Sequence, residues 1–301
     1  MENPPRTEQR DPATRDLDTA GSEGVLRMLH TADRAVLDAV EPLLPDLARL
    51  VEAAVAALRA GGSVHYFGAG TSGRLAVLDA AELRPTFTLE PGRVVAHLAG
   101  GARAVTEAVE GAEDDAAAGE ADAAGLGAGD VAFGVSASGR TPYVGGALRA
   151  ARRAGAVTAL LANSPDPALG PLADHLLVAD TGPEVLTGST RLKAGTSAKL
   201  VLNGFSTAVM VGLGRTWSNL MVSVSATNDK LHARAGRILA EVTGLAPAEA
   251  SAALRAAGGD LPTALVATLR GCGPGEAAAL LAASGGSVRA AVQGPAGTAT
   301  G

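Results

Sequence analysis

Ser63-Val64-His65-Tyr66-Phe67-Gly68-Ala69-Gly70-Thr71-Ser72-Gly73-Arg74 runs from a β-rich apolar stretch through a glycine and hydroxyl loop into helical periodicity at about 73–83. The change of period at the loop predicts a buried strand feeding a helix. Further β-rich runs follow at 94–98, 130–135, 157–162 and 175–179, with helical segments expected at about 103–120 and 142–154. Continuous apolar strands alternating with helices mark a parallel sheet covered on both faces. The expected fold is therefore α/β: a three-layer sandwich around a five-stranded parallel sheet, with a small C-terminal all-helical appendage.

Outward from this core, residues 1–22 are polar and read as an arm that orders only against the body or a partner subunit. Residues 23–240 form the main domain with flanking helices, which include Val25 to Leu58, broken near Pro42 and Pro45, and Ala194 to Gly212. Residues 241–301 hold an internal repeat: Pro247, Glu249, Leu254, Gly258 and Gly259 recur as Pro274, Glu276, Leu281, Gly285 and Gly286. Each copy reads as two short helices joined by a Gly-Gly turn.

Composition narrows the function. In 301 residues the net charge is −6 with no basic block, which argues against nucleic acid or an anionic membrane as partner. The single cysteine, Cys272, excludes an intrachain disulfide and a cysteine metal cluster, and the five histidines show no metal-ligand spacing. The polar N-terminus and the lack of a long apolar stretch lead to an expectation of a soluble, cytoplasmic protein. The three lysines lie between 193 and 230 and the seven aromatics between 66 and 217, which directs attention to residues 60–232.

Two loops there follow strands and open helices: Gly68 to Arg74, and Ser136-Ala137-Ser138-Gly139-Arg140-Thr141-Pro142. Such loops present free N–H groups, hydroxyls and the positive end of a helix dipole to an anion. Gly68, Gly70 and Gly73 also match a dinucleotide fingerprint, but Glu90 precedes the second strand instead of ending it, and there is no Walker lysine. A sugar phosphate or similar anion is the favoured ligand; nucleotide binding and plain structural turns are the alternatives. Two acids stand out. Glu82 is expected to end the helix after the first loop, and Glu113 shares a helical face with Val105 and Val109, where burial would suit it to acid–base work. The bland alternative is a solvated Glu113. The run Gly182 to Lys199 carries hydroxyls and two lysines, with Lys193 a candidate cation for an anion or carboxylate subsite; capping by Ser189 or Thr190 would also explain it. His65, His97 and His175 read as satisfied strand residues.

At these motifs the sequence resembles the N-acetylmuramic acid 6-phosphate etherases of the sugar isomerase (SIS) superfamily. The resemblance rests on Thr7 to Arg10, Gly68 to Leu75, Leu78-Asp79-Ala80 with Glu82, Pro85-Thr86-Phe87, Glu110 to Asp114, and Ala137 to Tyr143. It continues through the Gly182 to Thr196 run, Asn219-Leu220-Met221 and Thr227 to Leu231. It implies an SIS-type sheet and a lyase that removes D-lactate from C-3 of N-acetylmuramic acid 6-phosphate without a metal or redox cofactor. It implies Glu82 as proton donor to lactate and Glu113 as the second acid/base. Ser72, Ser136, Ser138 and Thr141 would hold the phosphate, with Thr71 and Gly139 in the same loops, in a homodimer with sites near the interface. Where the family usually has Glu-Cys-Pro-Pro-Thr this chain has Glu82-Leu83-Arg84-Pro85-Thr86, and Ala76 replaces a usual Gly. The alternatives are a non-catalytic sugar-phosphate regulator of the same superfamily and an aldose–ketose isomerase. The N-terminal 60 residues, without lysine, supply no basic helix-turn-helix for a transcription regulator.

Overall fold

The computed structural model describes residues 5–223 and 229–294. Five parallel strands, β1 (Val64–Gly68), β2 (Val94–Leu98), β3 (Val131–Val135), β4 (Val157–Ala162) and β5 (His175–Val178), form one sheet in the order β2-β1-β3-β4-β5. Each lies within one residue of its expected position. The period of two sends neighbouring side chains to opposite faces. Tyr66 meets Phe133 and Phe205 edge-on at ring distances of 6.0 and 6.1 Å on one face. Phe67 joins Ala132, Tyr143, Val144 and Leu148 on the other.

Helices α1 (Ser22–Val40) and α2 (Leu44–Arg59) precede the sheet, separated by a 3-10 turn that contains Pro42, while Pro45 occupies the first turn of α2, where its missing N–H costs nothing. The N-terminal arm orders against the body: Arg6 Nη1 meets Asp180 Oδ2 at 2.6 Å, Thr14 Oγ1 donates to Val185 O at 2.9 Å, and Thr7 is fully buried. Helix α3 (Gly70–Phe87) is longer than expected, so Glu82 does not end it. Pro85 removes one donor near the C-terminal end and the helix runs on to Thr88, whose φ of 51° stops it. The Thr88 hydroxyl donates to Ser223 O at 2.7 Å.

The expected helix over 103–120 is not formed. Two 3-10 turns, Gly101–Val105 and Ala112–Asp114, replace most of it, and only α4 (Ala116–Asp122) is α-helical. Gly111 takes a φ of 73°, which breaks any helix there, and Asp115 restarts one by accepting from Ala118 N at 2.9 Å. Val105, Val109 and Glu113 therefore share no helical face. Val105 is 41% exposed and Glu113 is exposed.

Helices α5 (Pro142–Arg153) and α6 (Lys193–Gly212) complete the layers, and α5 lies over the Phe67 face, α6 over the Tyr66 face. A buried carboxylate ties the second of these together: Asp79 on α3 accepts from Tyr66 Oη at 3.0 Å and from Ser206 Oγ of α6 at 2.9 Å.

The chain divides into two compact units, Met1–Ala80 with Gly92–Ser206, and Ala81–Pro91 with Thr207–Gly301. The second contains a hairpin of β6 (Thr216–Trp217) and β7 (Leu220–Met221), then α7 (Asp229–Thr243), α8 (Pro247–Ala256), α9 (Leu261–Arg270), α10 (Pro274–Ala283) and α11 (Val288–Gln293). Gly258-Gly259 and Gly285-Gly286 turn at positive φ between α8 and α9 and between α10 and α11. Leu239, Leu254, Leu261, Leu265, Leu281 and Val288 supply the core of this unit. The motif residues Thr227 and Asn228 lie outside the described residues. No helix among the described residues is long and apolar enough to cross a membrane.

Candidate active site

The register of the sheet sets three loops side by side. Gly68 pairs with Leu98 on one side and with Val135 on the other, so the segments after β2, β1 and β3 leave the carboxyl edge abreast. The strand order reverses between β1 and β3, and the crevice at such a reversal is where open α/β sheets bind ligands.

The first loop turns tightly. A Cβ on Gly73 would stand 2.6 Å from Gly68 O and 2.3 Å from Leu98 Cδ1, so only glycine fits. Thr71 and Ser72, half-buried, follow Gly70 into the first turn of α3, whose early N–H groups are free for an anion. In the second loop Ser136 is buried, its Oγ lies 2.8 Å from Thr141 Oγ1, and Thr141 directly precedes Pro142 at the start of α5 without a side-chain capping bond. Ser138 Oγ accepts from Arg140 N at 3.2 Å. Gly139, at φ 65°, approaches Pro167 so closely that a Cβ would lie 2.2 Å from that ring's Cβ. Ser136 and Thr141 share one hydrogen bond, so one of the two hydroxyls keeps its proton free, and the Ser138 hydroxyl, which accepts from Arg140 N, also keeps its own proton to donate.

Glu113 and the first loop meet. Ala69, Gly70, Arg74, Glu110, Gly111 and Glu113 line one cavity of about 180 Å³. Burial on a helix face, the expected reason for an acid–base role, is absent; Glu113 is exposed and lines this cavity from the 3-10 turn that follows Gly111. Glu82, exposed, belongs to the other compact unit. Beside it Leu83 is 4% exposed and fills a core position, while Arg84 is exposed. Thr71 faces a separate hollow of about 300 Å³ that it shares with Arg191, Thr196 and Lys199.

Lys193 is the first residue of α6 and is buried. Its N–H and that of Ala194 donate to the two carboxylate oxygens of Glu184, each at 3.0 Å. Glu184, fully buried, thus caps α6, in place of Ser189 or Thr190, the capping residues that the sequence offered as an alternative to an anion subsite. Burial raises the Glu184 pKa above the usual carboxylate range, opposed by the two N–H bonds and the Lys193 charge. His65 and His97 prove satisfied: His65 bonds Ser63 Oγ at 2.8 Å and His97 Nε2 at 2.9 Å.

A family model for the glucokinase regulatory protein N-terminal SIS domain matches residues 46–152. The N-acetylmuramic acid 6-phosphate etherase of Thermobifida fusca (strain YX) is 53% identical over 263 residues, covering 87% of this chain and 86% of the relative. That of Cutibacterium acnes (strain DSM 16379 / KPA171202) is 52% identical over 265 residues, covering 87% of each. Among solved structures, a phosphoheptose isomerase from Francisella tularensis shares the fold with a TM-score of 0.51 at 18% identity, over 63% of this chain and 97% of that one.

Proposed function

This chain belongs to the N-acetylmuramic acid 6-phosphate etherase family, and from that membership we propose that it releases D-lactate from N-acetylmuramic acid 6-phosphate, leaving N-acetylglucosamine 6-phosphate. The observation that carries the reading is identity of about half with such etherases over nearly their whole length.

The reaction class is a carbon–oxygen lyase. In the open-chain sugar the C-1 aldehyde acidifies the proton on C-2. A carboxylate removes it, the electron pair forms a C-2–C-3 double bond, and the C-3–oxygen bond breaks as lactate leaves with a proton from an acid. Water then adds to C-3 and a proton returns to C-2, so the sum is hydrolysis of an ether with no change of oxidation state. The steps need two carboxyl groups in complementary protonation states. Glu82 donates to the departing lactate oxygen and Glu113 serves as the second acid/base. Ser72, Ser136, Ser138 and Thr141 hold the phosphate with the N–H groups at the starts of α3 and α5, and Thr71, Gly139 and Lys193 shape the same subsites. Side-by-side loops at the strand reversal support this placement of the phosphate, and the cavity shared by Glu113 and Gly70 supports the placement of the base. The working form is a cytoplasmic homodimer; exposed Leu78 on α3 and Leu200 on α6 offer apolar surface for pairing.

The match to a regulatory-protein SIS domain favours one second reading, a sensor that binds the sugar phosphate without turnover. Purified protein mixed with N-acetylmuramic acid 6-phosphate separates the two. The etherase yields D-lactate in proportion to substrate consumed; a sensor shows saturable binding and no lactate.

A further inference from the structure

Arg74 lies near the start of α3, directly after the first loop, and its side chain engages a different segment of chain. Nε donates to Ala104 O at 2.9 Å and to Val105 O at 3.1 Å, and Nη2 donates to Glu107 O at 2.8 Å. These carbonyls belong to the stretch that runs from β2 to Glu113, and Arg74 and Glu113 line the same cavity beside Gly70. The stretch has little regular structure of its own: 3-10 turns, exposed residues from Val105 to Ala108, and an Arg103–Glu107 pair at 3.6 Å whose side chains are 67% and 64% exposed. An exposed pair of that kind contributes little. A planar guanidinium bonded to three main-chain carbonyls is a geometric clamp that a point charge cannot reproduce.

We infer that Arg74 is a positioning residue: it fixes the 101–113 segment to the anion loop, so that Glu113 is held at a set place relative to a phosphate bound at the start of α3. Arg74 acts through the backbone it grips and not by touching substrate. Because it grows from the helix that opens at the anion loop, that loop and the Glu113 segment move as one body. The inference rests on the acid/base role proposed for Glu113.

The test compares Arg74→Ala, Arg74→Lys and, as a control on the same segment, Arg103→Ala. For Arg74→Ala, kcat is expected to fall about 10²-fold, the cost of a misplaced catalytic group, with KM changed by less than about threefold. Arg74→Lys keeps the charge but loses the fork and stays about tenfold below the parent. Arg103→Ala stays within about twofold. Added guanidinium ion restores part of the Arg74→Ala rate and none of the Arg74→Lys deficit. Hydrogen exchange supplies a readout independent of activity: amides of 101–113 exchange faster in Arg74→Ala while those of β1 and β3 hold. An unchanged kcat, a rise in KM alone, or unchanged exchange in 101–113 overturns the inference, the second by indicating direct contact with the anion. Should Arg74→Ala fail to fold, Arg74→Lys carries both readouts. Parent protein that releases no lactate overturns the proposed reaction instead, and the exchange comparison still decides the clamp.

Discussion

Glu113→Gln is expected to lower D-lactate release from N-acetylmuramic acid 6-phosphate by about 10²–10⁴-fold, the usual worth of a positioned acid or base. Glutamine has the same shape and hydrogen-bonds at the same place, but it neither takes nor gives a proton. Glu113 is exposed, so the fold is expected to tolerate the change within about 0.5 kcal/mol. Glu82→Gln is expected to show a loss of similar size with a different signature. If Glu82 protonates the departing oxygen, a substrate whose leaving group is a weaker base recovers much of the lost rate in Glu82→Gln and none in Glu113→Gln. Steady-state kcat for both variants on the lactyl ether and on the ether of a more acidic hydroxy acid makes the distinction. Equal recovery in both variants, or parent-like rates in either, removes the assigned roles.

Asp79→Ala is expected to cost the fold about 3 kcal/mol, because it strands two buried hydroxyls at about 1–3 kcal/mol each and leaves a void. Tyr66 is fully buried and Ser206 is 5% exposed, so water does not replace the carboxylate for either. Asp79→Asn keeps the volume and one acceptor and is expected to cost less. The two also differ with pH. Burial raises the Asp79 pKa above its usual value, against the opposing pull of the two hydroxyls and the Lys199 charge. A folded-state pKa above the unfolded one gives stability that is full below the unfolded pKa and is lost as pH rises through the folded pKa. The Asn variant has no such proton to lose, so its deficit relative to the parent is expected to shrink as pH rises through that window. Calorimetric unfolding at a series of pH values reads both effects; a deficit for Asp79→Ala below about 1 kcal/mol would contradict the buried-anchor account.

Much of the fold was legible because a parallel sheet buried on both faces leaves uninterrupted apolar runs, and Val94–Leu98 and Val157–Ala162 were readable to the residue. The 103–120 stretch was misread because Val105, Val109 and Glu113 do recur at helical spacing, while a single glycine, Gly111, decides the backbone by taking a positive φ. The clustered aromatics proved to report the core: Tyr66, Phe67, Phe133, Tyr143 and Phe205 are all buried on one sheet face or the other. Pattern located the two strand-to-helix loops, since the glycines and hydroxyls that build them are local in sequence. It missed Glu184, whose capping of α6 spans nine residues of irregular chain, and Asp79, whose partners lie 13 and 127 residues away. Long-range polar contacts leave no periodic trace; a carboxylate inside an otherwise apolar helix face was the only available signal for Asp79.

Turnover of N-acetylmuramic acid 6-phosphate in ²H₂O, followed by nuclear magnetic resonance, reports whether the C-2 proton is removed and replaced from solvent. Elimination followed by water addition predicts D-lactate and N-acetylglucosamine 6-phosphate in equal amounts, with one solvent deuterium at C-2 of the sugar. Lactate formed with C-2 still fully protiated would contradict proton abstraction there, and bound substrate with no lactate at all would contradict the etherase.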